Sequence, residues 1–286
     1  MANDERGYAH PELLRDTAWL EEHLNDPDLC LIDCESVDAY NRCHIPGARC
    51  LAAAIPGPTK RPPYLLKDPT DGVYIMKPDL FGEVMGRLGV GDDTMVYAYD
   101  GQGSHYAARL WWVLRYYGHS RVHLINGGWD KWMREGRRIS RGPVHITPAH
   151  FMPRAQPQYV VTAEELRDSI GKPGVVILDT RTDAEYIGTN DRGTARGGHL
   201  PTAHHVEWLK AINWDEGQTF RPAAELREMY SAAGVTPDKE ILTHCYGNIR
   251  SSHTAFTLTL LGYERVRNYE ASWAEWGNRL DLPVER

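Results

Sequence analysis

The stretch that decides the fold is VVILDTRTDAEY, residues 175–186, together with an earlier stretch of the same pattern, LCLIDCESVDAY, residues 29–40. In both, a short apolar run rich in Val, Ile and Leu reaches an Asp, and a polar segment follows. An unbroken apolar run of this length is typical of a strand that is buried on both faces of a parallel sheet. The two stretches therefore predict an α/β protein in which one supersecondary unit is used twice.

The duplication continues outward from these two stretches along most of the chain. The Asp after the first strand recurs at a distance of 179 − 33 = 146 residues, as Asp33 and Asp179. The end of the next strand recurs after 245 − 100 = 145 residues, as Asp100 and Cys245. The corresponding segments are 29–40 and 175–186, 44–48 and 198–203, 88–100 and 233–245, and 114–132 and 258–276. Such regular spacing indicates a duplicated domain.

Each half contains three predicted strands that alternate with helical patterns. The strands are Leu29–Cys34, Met95–Tyr99 and Val122–Ile125, then Val175–Thr180, Ile241–His244 and Val266–Tyr269. Helices are predicted at Pro11–Leu24, Pro78–Leu88, Tyr106–Tyr117 and Ser251–Leu261, and a capping box predicts the start of another helix at Thr162. This alternation predicts a parallel sheet flanked by helices in each half.

The boundary between the two domains is predicted in RGPVHITPAHFMPRAQPQ, residues 141–158. The segment has four prolines and no apolar periodicity, which favours an extended connection. The predicted division is a first domain at 1–145, a linker at 146–158 and a second domain at 159–286. A stretch rich in proline and charge, Ile55–Lys77, reads as an insertion that either covers an interdomain cleft or lies on the surface.

Composition and charge narrow the classes of function. The chain has 286 residues, of which 42% are hydrophobic and 25% charged, as in ordinary globular proteins. The net charge is −7, and the 32 Lys and Arg residues form no long run, so nucleic acid is not an expected partner. The sequence has neither a secretion signal nor a stretch of about 18 apolar residues. We therefore expect a cytoplasmic protein that does not engage a membrane.

The cysteines and histidines do not predict a metal site. The five cysteines are Cys30, Cys34, Cys43, Cys50 and Cys245. An odd count without a secretion signal predicts reduced thiols, and the one closely spaced pair, Cys30 and Cys34, encloses an apolar strand. A histidine cluster comprises His199, His204 and His205. His199 corresponds to His44 in the first half, which favours a structural role at a turn, and we expect no metal and no cofactor.

Cys245 lies where a predicted strand ends and a predicted helix begins. The loop that follows it comprises Tyr246, Gly247, Asn248, Ile249 and Arg250. Such a turn collects backbone N–H groups and the positive end of a helix dipole around the thiol, and Arg250 adds a full positive charge. These effects favour a thiolate, so Cys245 is predicted to be a nucleophile rather than a small core residue.

Four further motifs accompany this loop. They are YNRCHIPGA at 40–48, NGGW at 126–129, GY at 262–263 and SWAEWG at 272–277. With the Cys245 loop, they resemble the tandem-domain rhodaneses, the thiosulfate and 3-mercaptopyruvate sulfurtransferases, over nearly the whole chain. The resemblance implies two rhodanese-like domains, of which the first is inactive and has Asp100 where the second has Cys245. It also implies that Cys245 carries a sulfane sulfur as a persulfide.

The resemblance implies a role for the Asp179-Thr-Arg181 element after the first strand of the second domain. Arg181 would hold the anionic end of the sulfur donor, and Asp179 would brace the site. An ion pair between Arg181 and the nearby Glu185 is the alternative. Arg250 is predicted to contact the donor as well.

The predicted reaction is the transfer of sulfur from thiosulfate, a small anionic donor, to cyanide or a thiol in a double displacement. Mercaptopyruvate is the alternative donor, although the loop lacks the Cys-Gly-Ser-Gly pattern of the mercaptopyruvate-specific members. A persulfide carrier that passes sulfur to a protein acceptor is a second alternative. A cysteine phosphatase of the related fold is disfavoured, because the spacing Cys-x₄-Arg is one residue shorter than the phosphatase loop.

Overall fold

The structure is a computed structural model, which describes residues 6–59 and 62–286. The chain forms two compact units. Among the described residues, unit 1 contains Pro11–Gln156 and Ile212–Phe220, and unit 2 contains Arg6–His10, Pro157–Ala211 and Arg221–Arg286. The change of unit after Gln156 falls inside the predicted linker, 146–158.

Relative to the predicted domains, 1–145 and 159–286, two short segments group with the other compact unit. Residues 6–10 belong to unit 2, and residues 212–220 belong to unit 1. The second segment forms a hairpin in which Ile212 and Phe220 are fully buried. The N–H of Phe220 donates to Asn126 Oδ1 at 3.0 Å, so burial and hydrogen bonding, rather than sequence position, decide where this segment packs.

Unit 1 is built around a five-stranded parallel sheet. Its strands are β1 (Leu14–Arg15), β2 (Cys30–Asp33), β3 (Arg49–Cys50), β4 (Val96–Tyr99) and β5 (Val122–Ile125), in the spatial order β1-β5-β4-β2-β3. Its helices are α1 (Thr17–His23), α2 (Val37–Arg42), α3 (Leu51–Ala54), α4 (Pro78–Arg87), α5 (His105–Tyr116) and α6 (Gly128–Arg134). Every residue of β2 and β5 is buried, as the unbroken apolar runs predict.

Unit 2 repeats this plan with another five-stranded parallel sheet. Its strands are β6 (Val160–Val161), β7 (Val175–Asp179), β8 (His204–His205), β11 (Glu240–His244) and β12 (Val266–Tyr269), and the hairpin strands in unit 1 are β9 (Ile212–Asn213) and β10 (Thr219–Phe220). The spatial order is β6-β12-β11-β7-β8. The helices are α7 (Ala163–Asp168), α8 (Asp183–Tyr186), α9 (Ala223–Ala232), α10 (Ile249–Leu260) and α11 (Ser272–Trp276). The equivalent strand order in the two units confirms the predicted α/β fold and its duplication.

Most predicted elements are present, and the exceptions have physical reasons. The helix predicted at Pro11–Leu24 begins only at Thr17, because residues 11–13 form a 3₁₀ turn and Leu14 pairs with Leu124 at the sheet edge. The predicted capping box at Thr162 is confirmed. In the stretch Ile55–Lys77, residues 60 and 61 lie outside the described residues. The part after them packs on α5, where Arg109 Nε donates to the Leu65 carbonyl at 2.9 Å.

Candidate active site

Cys245 is the residue that follows β11, at the carboxyl end of the unit 2 sheet. Ligands of parallel α/β sheets collect at this edge, where strands end and helices begin. A loop of three residues leads to α10, and its last residue, Asn248, has a left-handed backbone with φ of 61°. Asn tolerates this conformation better than most residues, and it lets the chain turn directly from strand to helix.

The sulfur of Cys245 is surrounded by hydrogen-bond donors. The backbone N–H groups of Gly247 and Ser251 point to Sγ, and the Ser251 hydroxyl lies 3.7 Å from it. The residue is 1% exposed, and burial alone would raise the pKa of the thiol. The positive charge of Arg250 and these donors outweigh burial, so the pKa of Cys245 is lower than its ordinary value. The loop therefore favours an anion on the sulfur.

The backbone of Cys245 is fixed from the segment that follows β12. Its N–H donates to Ser272 Oγ at 3.2 Å, and its carbonyl accepts from the N–H of Trp273 at 3.0 Å. Ser272 has a left-handed φ of 54°. This segment contains the SWAEWG motif, so the motif holds the cysteine in place.

Arg250 forms a buried ion pair with Glu185. Its Nη1 and Nη2 donate to the two carboxylate oxygens at 2.6 and 2.9 Å, and the side chains are 11% and 2% exposed. Glu185 also completes the capping box of α8, in which the Thr182 hydroxyl donates to its Oε2 at 3.0 Å. The helix start thus fixes the carboxylate, and the carboxylate fixes the guanidinium near the thiol.

Arg181, which the sequence analysis predicted to contact the sulfur donor, lies buried among protein partners. Its side chain is 1% exposed and donates to Asp179 at 2.6 and 3.0 Å and to the Gly198 carbonyl at 2.7 Å. Its guanidinium also stacks on the ring of Trp273, 4.2 Å from the centre. The predicted ion pair with Glu185 is wrong, because Glu185 pairs with Arg250. The burial of Arg181 and its occupied donors argue against the predicted contact with a donor molecule.

Asp179 is a buried anchor beneath the loop. Despite the desolvation that opposes it, the positive partners around this carboxyl lower its pKa to about 2. The neighbouring His244 lies with Nε2 3.6 Å from Asp179 Oδ2, and burial lowers the pKa of His244 to about 4. At neutral pH the site therefore contains an ionised Asp179 and an uncharged His244. The bracing role of Asp179 stays a prediction, and the contacts that would provide it are those with Arg181 and His244.

Beside the loop, an exposed arginine adds positive charge. Arg192 is 46% exposed, its guanidinium carbon lies 4.6 Å from the centre of the Tyr246 ring, and its Nη1 lies 3.9 Å from Glu185. The hydroxyl of Tyr246 donates to the Arg192 carbonyl at 3.4 Å. A side chain added at Gly247 would meet nothing within 4 Å, so the loop borders open space on that side.

In unit 1, the corresponding loop holds the carboxylate of Asp100. Four backbone N–H groups donate to it, at distances of 2.7, 3.0, 2.7 and 2.8 Å, from Gln102, Ser104, Tyr106 and Ala107. Burial raises the pKa of Asp100 to about 6, and the N–H groups act in the opposite direction. This loop has one residue more before its helix than the Cys245 loop has. The donors that face a sulfur in unit 2 face a carboxylate here.

The NGGW motif packs against the backbone of Asp100. The N–H of Trp129 donates to the Asp100 carbonyl at 2.8 Å, and a Cβ at Gly128 would lie 2.1 Å from that oxygen. Only glycine permits this approach, which Gly128 makes with a positive φ of 47°.

The remaining candidates have structural positions. His199 stacks on Tyr186 with ring centres 3.9 Å apart, and its Nδ1 lies 2.9 Å from the Tyr186 carbonyl, as expected for a turn residue. Over residues 6–59 and 62–286, no three His, Cys, Asp or Glu side chains are arranged to hold a metal ion. Within the same residues, no helix has the length and apolar character needed to cross a membrane.

Several site residues escaped the sequence analysis. They are Glu185 as the partner of Arg250, Arg192 beside Tyr246, and Ser251 and Ser272 near the cysteine. The equivalence of SWAEWG and NGGW already placed Ser272 opposite Gly128, so its approach to Cys245 had a signal in the sequence. The other contacts join residues far apart in the chain and have no signal in one sequence.

Comparisons with known proteins agree with this architecture. The family description "Rhodanese-like domain" matches residues 16–135 and 162–279. The sulfur carrier protein TtuD of Thermus thermophilus is 36% identical, with 98% of this chain and 99% of the relative aligned. A thiosulfate sulfurtransferase of Pseudomonas aeruginosa is 34% identical over 93% of this chain and 94% of its own length.

A solved structure supports the same relationship. It is the crystal structure of SseA from Escherichia coli, described as showing the rhodanese fold and catalytic mechanism of 3-mercaptopyruvate sulfotransferases. It is 27% identical and superposes with a TM-score of 0.78, over 92% of this chain and 99% of SseA. With the duplicated fold and the cysteine loop, these matches show that the chain belongs to the rhodanese family, as a tandem-domain sulfurtransferase related to thiosulfate and 3-mercaptopyruvate sulfurtransferases.

Proposed function

We propose that the chain moves the sulfane sulfur of thiosulfate to cyanide or a thiol through a persulfide on Cys245. The observation that carries the proposal is a cysteine at the carboxyl end of the sheet whose sulfur faces two backbone N–H groups and a hydroxyl, an arrangement that lowers its pKa. A thiolate is the nucleophile that a sulfur transfer requires, and the same donors stabilise the negative charge of a persulfide. The positive charge of Arg250 and the hydrogen-bond donors around Sγ thus favour both the thiolate and the persulfide of Cys245.

The reaction consists of two displacements. In the first, the Cys245 thiolate attacks the outer sulfur of thiosulfate, the S–S bond of the donor breaks, and its electron pair leaves with sulfite. In the second, cyanide or a thiolate attacks the outer sulfur of the persulfide and expels the Cys245 thiolate. A thiolate nucleophile needs no separate general base, and the lowered pKa of Cys245 favours the thiolate.

Positive charge near the loop favours an anionic donor. Arg250 is held beside the thiol by Glu185, and Arg192 lies exposed next to Tyr246. We assign the contact with the departing sulfite group to the exposed Arg192, while Arg250, whose Nη1 and Nη2 are paired with Glu185, contributes its charge. Arg181 contributes through the structure, by joining Asp179 to Trp273.

The test measures the intact mass of the purified protein before and after incubation with thiosulfate. The proposal expects one added sulfur atom, which cyanide removes, and its loss in Cys245→Ala. The matched control is Cys43→Ser, since Cys43 is a partly exposed thiol and belongs to unit 1. Addition of sulfur to Cys245→Ala, or no addition to the wild type, would contradict the proposal.

A persulfide carrier is the second candidate, because one relative is the sulfur carrier protein TtuD. A carrier loads Cys245 once and passes the sulfur to a protein acceptor, whereas an enzyme forms thiocyanate repeatedly from thiosulfate and cyanide. Stoichiometric loading without turnover would favour the carrier. Loading by mercaptopyruvate but not by thiosulfate would favour the donor associated with SseA.

A further inference from the structure

Asn248, at the left-handed turn before α10, has a fully buried side chain with hydrogen bonds on both sides. Its Nδ2 donates to Oε2 of Glu270, which is itself 5% exposed. On the other side, its Oδ1 accepts from the Ser251 hydroxyl at 2.7 Å. In an amide Nδ2 is the donor and Oδ1 the acceptor, so the contact of Nδ2 with Glu270 orients the group and turns Oδ1 towards Ser251.

The Ser251 hydroxyl therefore has two acceptors for one proton. Asn248 Oδ1 lies at 2.7 Å and Cys245 Sγ at 3.7 Å. A hydroxyl donates a single hydrogen, so a hydrogen bond to the amide removes it from the sulfur. The shorter contact is with the amide, so the hydroxyl is shared between Asn248 and Cys245 and the amide weakens its contact with the sulfur.

We propose that Glu270 and Asn248 are positioning residues that control, through Ser251, how strongly the Cys245 sulfur is stabilised as an anion. While the sulfur is weakly charged, the Ser251 hydroxyl donates its hydrogen bond to Asn248 Oδ1. When full negative charge develops on Sγ, the hydroxyl turns to it, because hydrogen bonds to ions are stronger than those to neutral acceptors. This occurs when an acceptor removes the outer sulfur and Cys245 leaves as a thiolate, so this role in turnover rests on the proposed function.

The test titrates the Cys245 thiol in four variants, by the rate at which iodoacetamide alkylates the Cys245 peptide as a function of pH. Ser251→Ala removes the donor and raises the pKa of Cys245. Asn248→Gly keeps a residue suited to the left-handed turn, releases the hydroxyl to the sulfur and lowers the pKa. Glu270→Gln frees the amide to rotate and shifts the pKa in the same direction as Asn248→Gly.

The double variant Asn248→Gly/Ser251→Ala isolates the coupling. If Asn248 acts only through Ser251, the double variant titrates like Ser251→Ala alone. The matched control is Thr257→Val, which removes a buried hydroxyl of the same helix that donates to the His253 carbonyl at 2.9 Å. This control leaves the pKa of Cys245 unchanged. Unfolding midpoints of all variants report any loss of folding.

A second measurement follows the discharge of the loaded protein by cyanide. Ser251→Ala slows discharge by about tenfold, the effect of one hydrogen bond to a charged leaving group, and slows loading by less. Equal shifts of the pKa in Ser251→Ala and Asn248→Gly, or additive shifts in the double variant, would overturn the proposal. The alkylation titration needs no sulfur donor, so it decides this inference even if neither thiosulfate nor mercaptopyruvate loads Cys245.

Discussion

Replacing Arg250 by Met separates the two tasks of the Arg250–Glu185 pair. The guanidinium makes two hydrogen bonds to a carboxylate that is 2% exposed, and it supplies the charge that favours the Cys245 thiolate. Arg250→Met leaves the buried Glu185 with only the more distant Arg192 as a cation, which costs about 3–5 kcal/mol of unfolding free energy. Because a domain is stable by only about 5–15 kcal/mol, urea unfolding of unit 2 shows this loss directly.

Arg250→Met also changes the pKa of the Cys245 thiol, independently of its effect on stability. The guanidinium is the largest effect that opposes burial, so the pKa of Cys245 rises when it is removed. The loss of one full charge next to a thiolate is worth at least about 1.4 kcal/mol, or a tenfold fall in alkylation rate at neutral pH. The assay is alkylation of the Cys245 peptide as a function of pH, with urea unfolding alongside.

The double variant Glu185→Gln/Arg250→Met decides between the two tasks. Removing both charges avoids the unpaired carboxylate, so most of the stability returns while the pKa of Cys245 stays raised. If the double variant is as unstable as Arg250→Met, the ion pair is not the cause of the instability. If Arg250→Met titrates like the wild type, the guanidinium does not set the thiol pKa and the reasoning fails.

Three further predictions test the surroundings of the site. Arg181→Lys loses the forked contacts with Asp179 and the stacking on Trp273, so the unfolding free energy falls by about 2–3 kcal/mol. The Michaelis constant for thiosulfate stays the same. A raised constant without a loss of stability would restore Arg181 as a contact of the sulfur donor. Asp100→Ala leaves four N–H groups without their acceptor and lowers the unfolding free energy by at least about 2 kcal/mol, while sulfur loading of Cys245 is unchanged. An unaltered urea midpoint would contradict the role of the carboxylate. His244 has a pKa of about 4 in the fold and about 6.5 when unfolded, so the unfolded state binds the proton first and stability is lost as pH falls from about 6.5 to about 4. His244→Gln flattens this part of the curve of stability against pH. An unchanged curve would show that another group causes the loss.

The sequence predicts the fold well, because its signals are local or repeated. The apolar runs at β2, β5, β7 and β11 are long enough to identify buried strands, and the constant spacing between halves relates their order. The edge strands were missed because each has only two residues. The packing of residues 212–220 in unit 1 has no local signal, since it depends on the burial of Ile212 and Phe220.

The site was predictable in its centre and less so in its partners. The strand-to-helix position of Cys245 follows from its own neighbourhood, and the structure confirms it. The direction in which an arginine turns does not follow from spacing. Arg181 lies two residues from its carboxylate but stacks on Trp273, far along the chain, and Arg250 reaches Glu185 across 65 residues. The partner of each arginine depends on which carboxylates are buried in the fold, and a single sequence does not show this.

The carboxylate held in the loop of unit 1 offers an internal standard for spectroscopy. Beyond Cβ, aspartate has a carbon and an oxygen where a cysteine persulfide has two sulfurs, so above about pH 6 Asp100 presents the outline and charge that a persulfide on Cys245 would have. The amide protons of Gln102, Tyr106 and Ala107 therefore keep a constant signature of binding to an anion. Those of Gly247 and Ser251 change when Cys245 gains sulfur, and one amide spectrum of the intact chain records both the reference and the response.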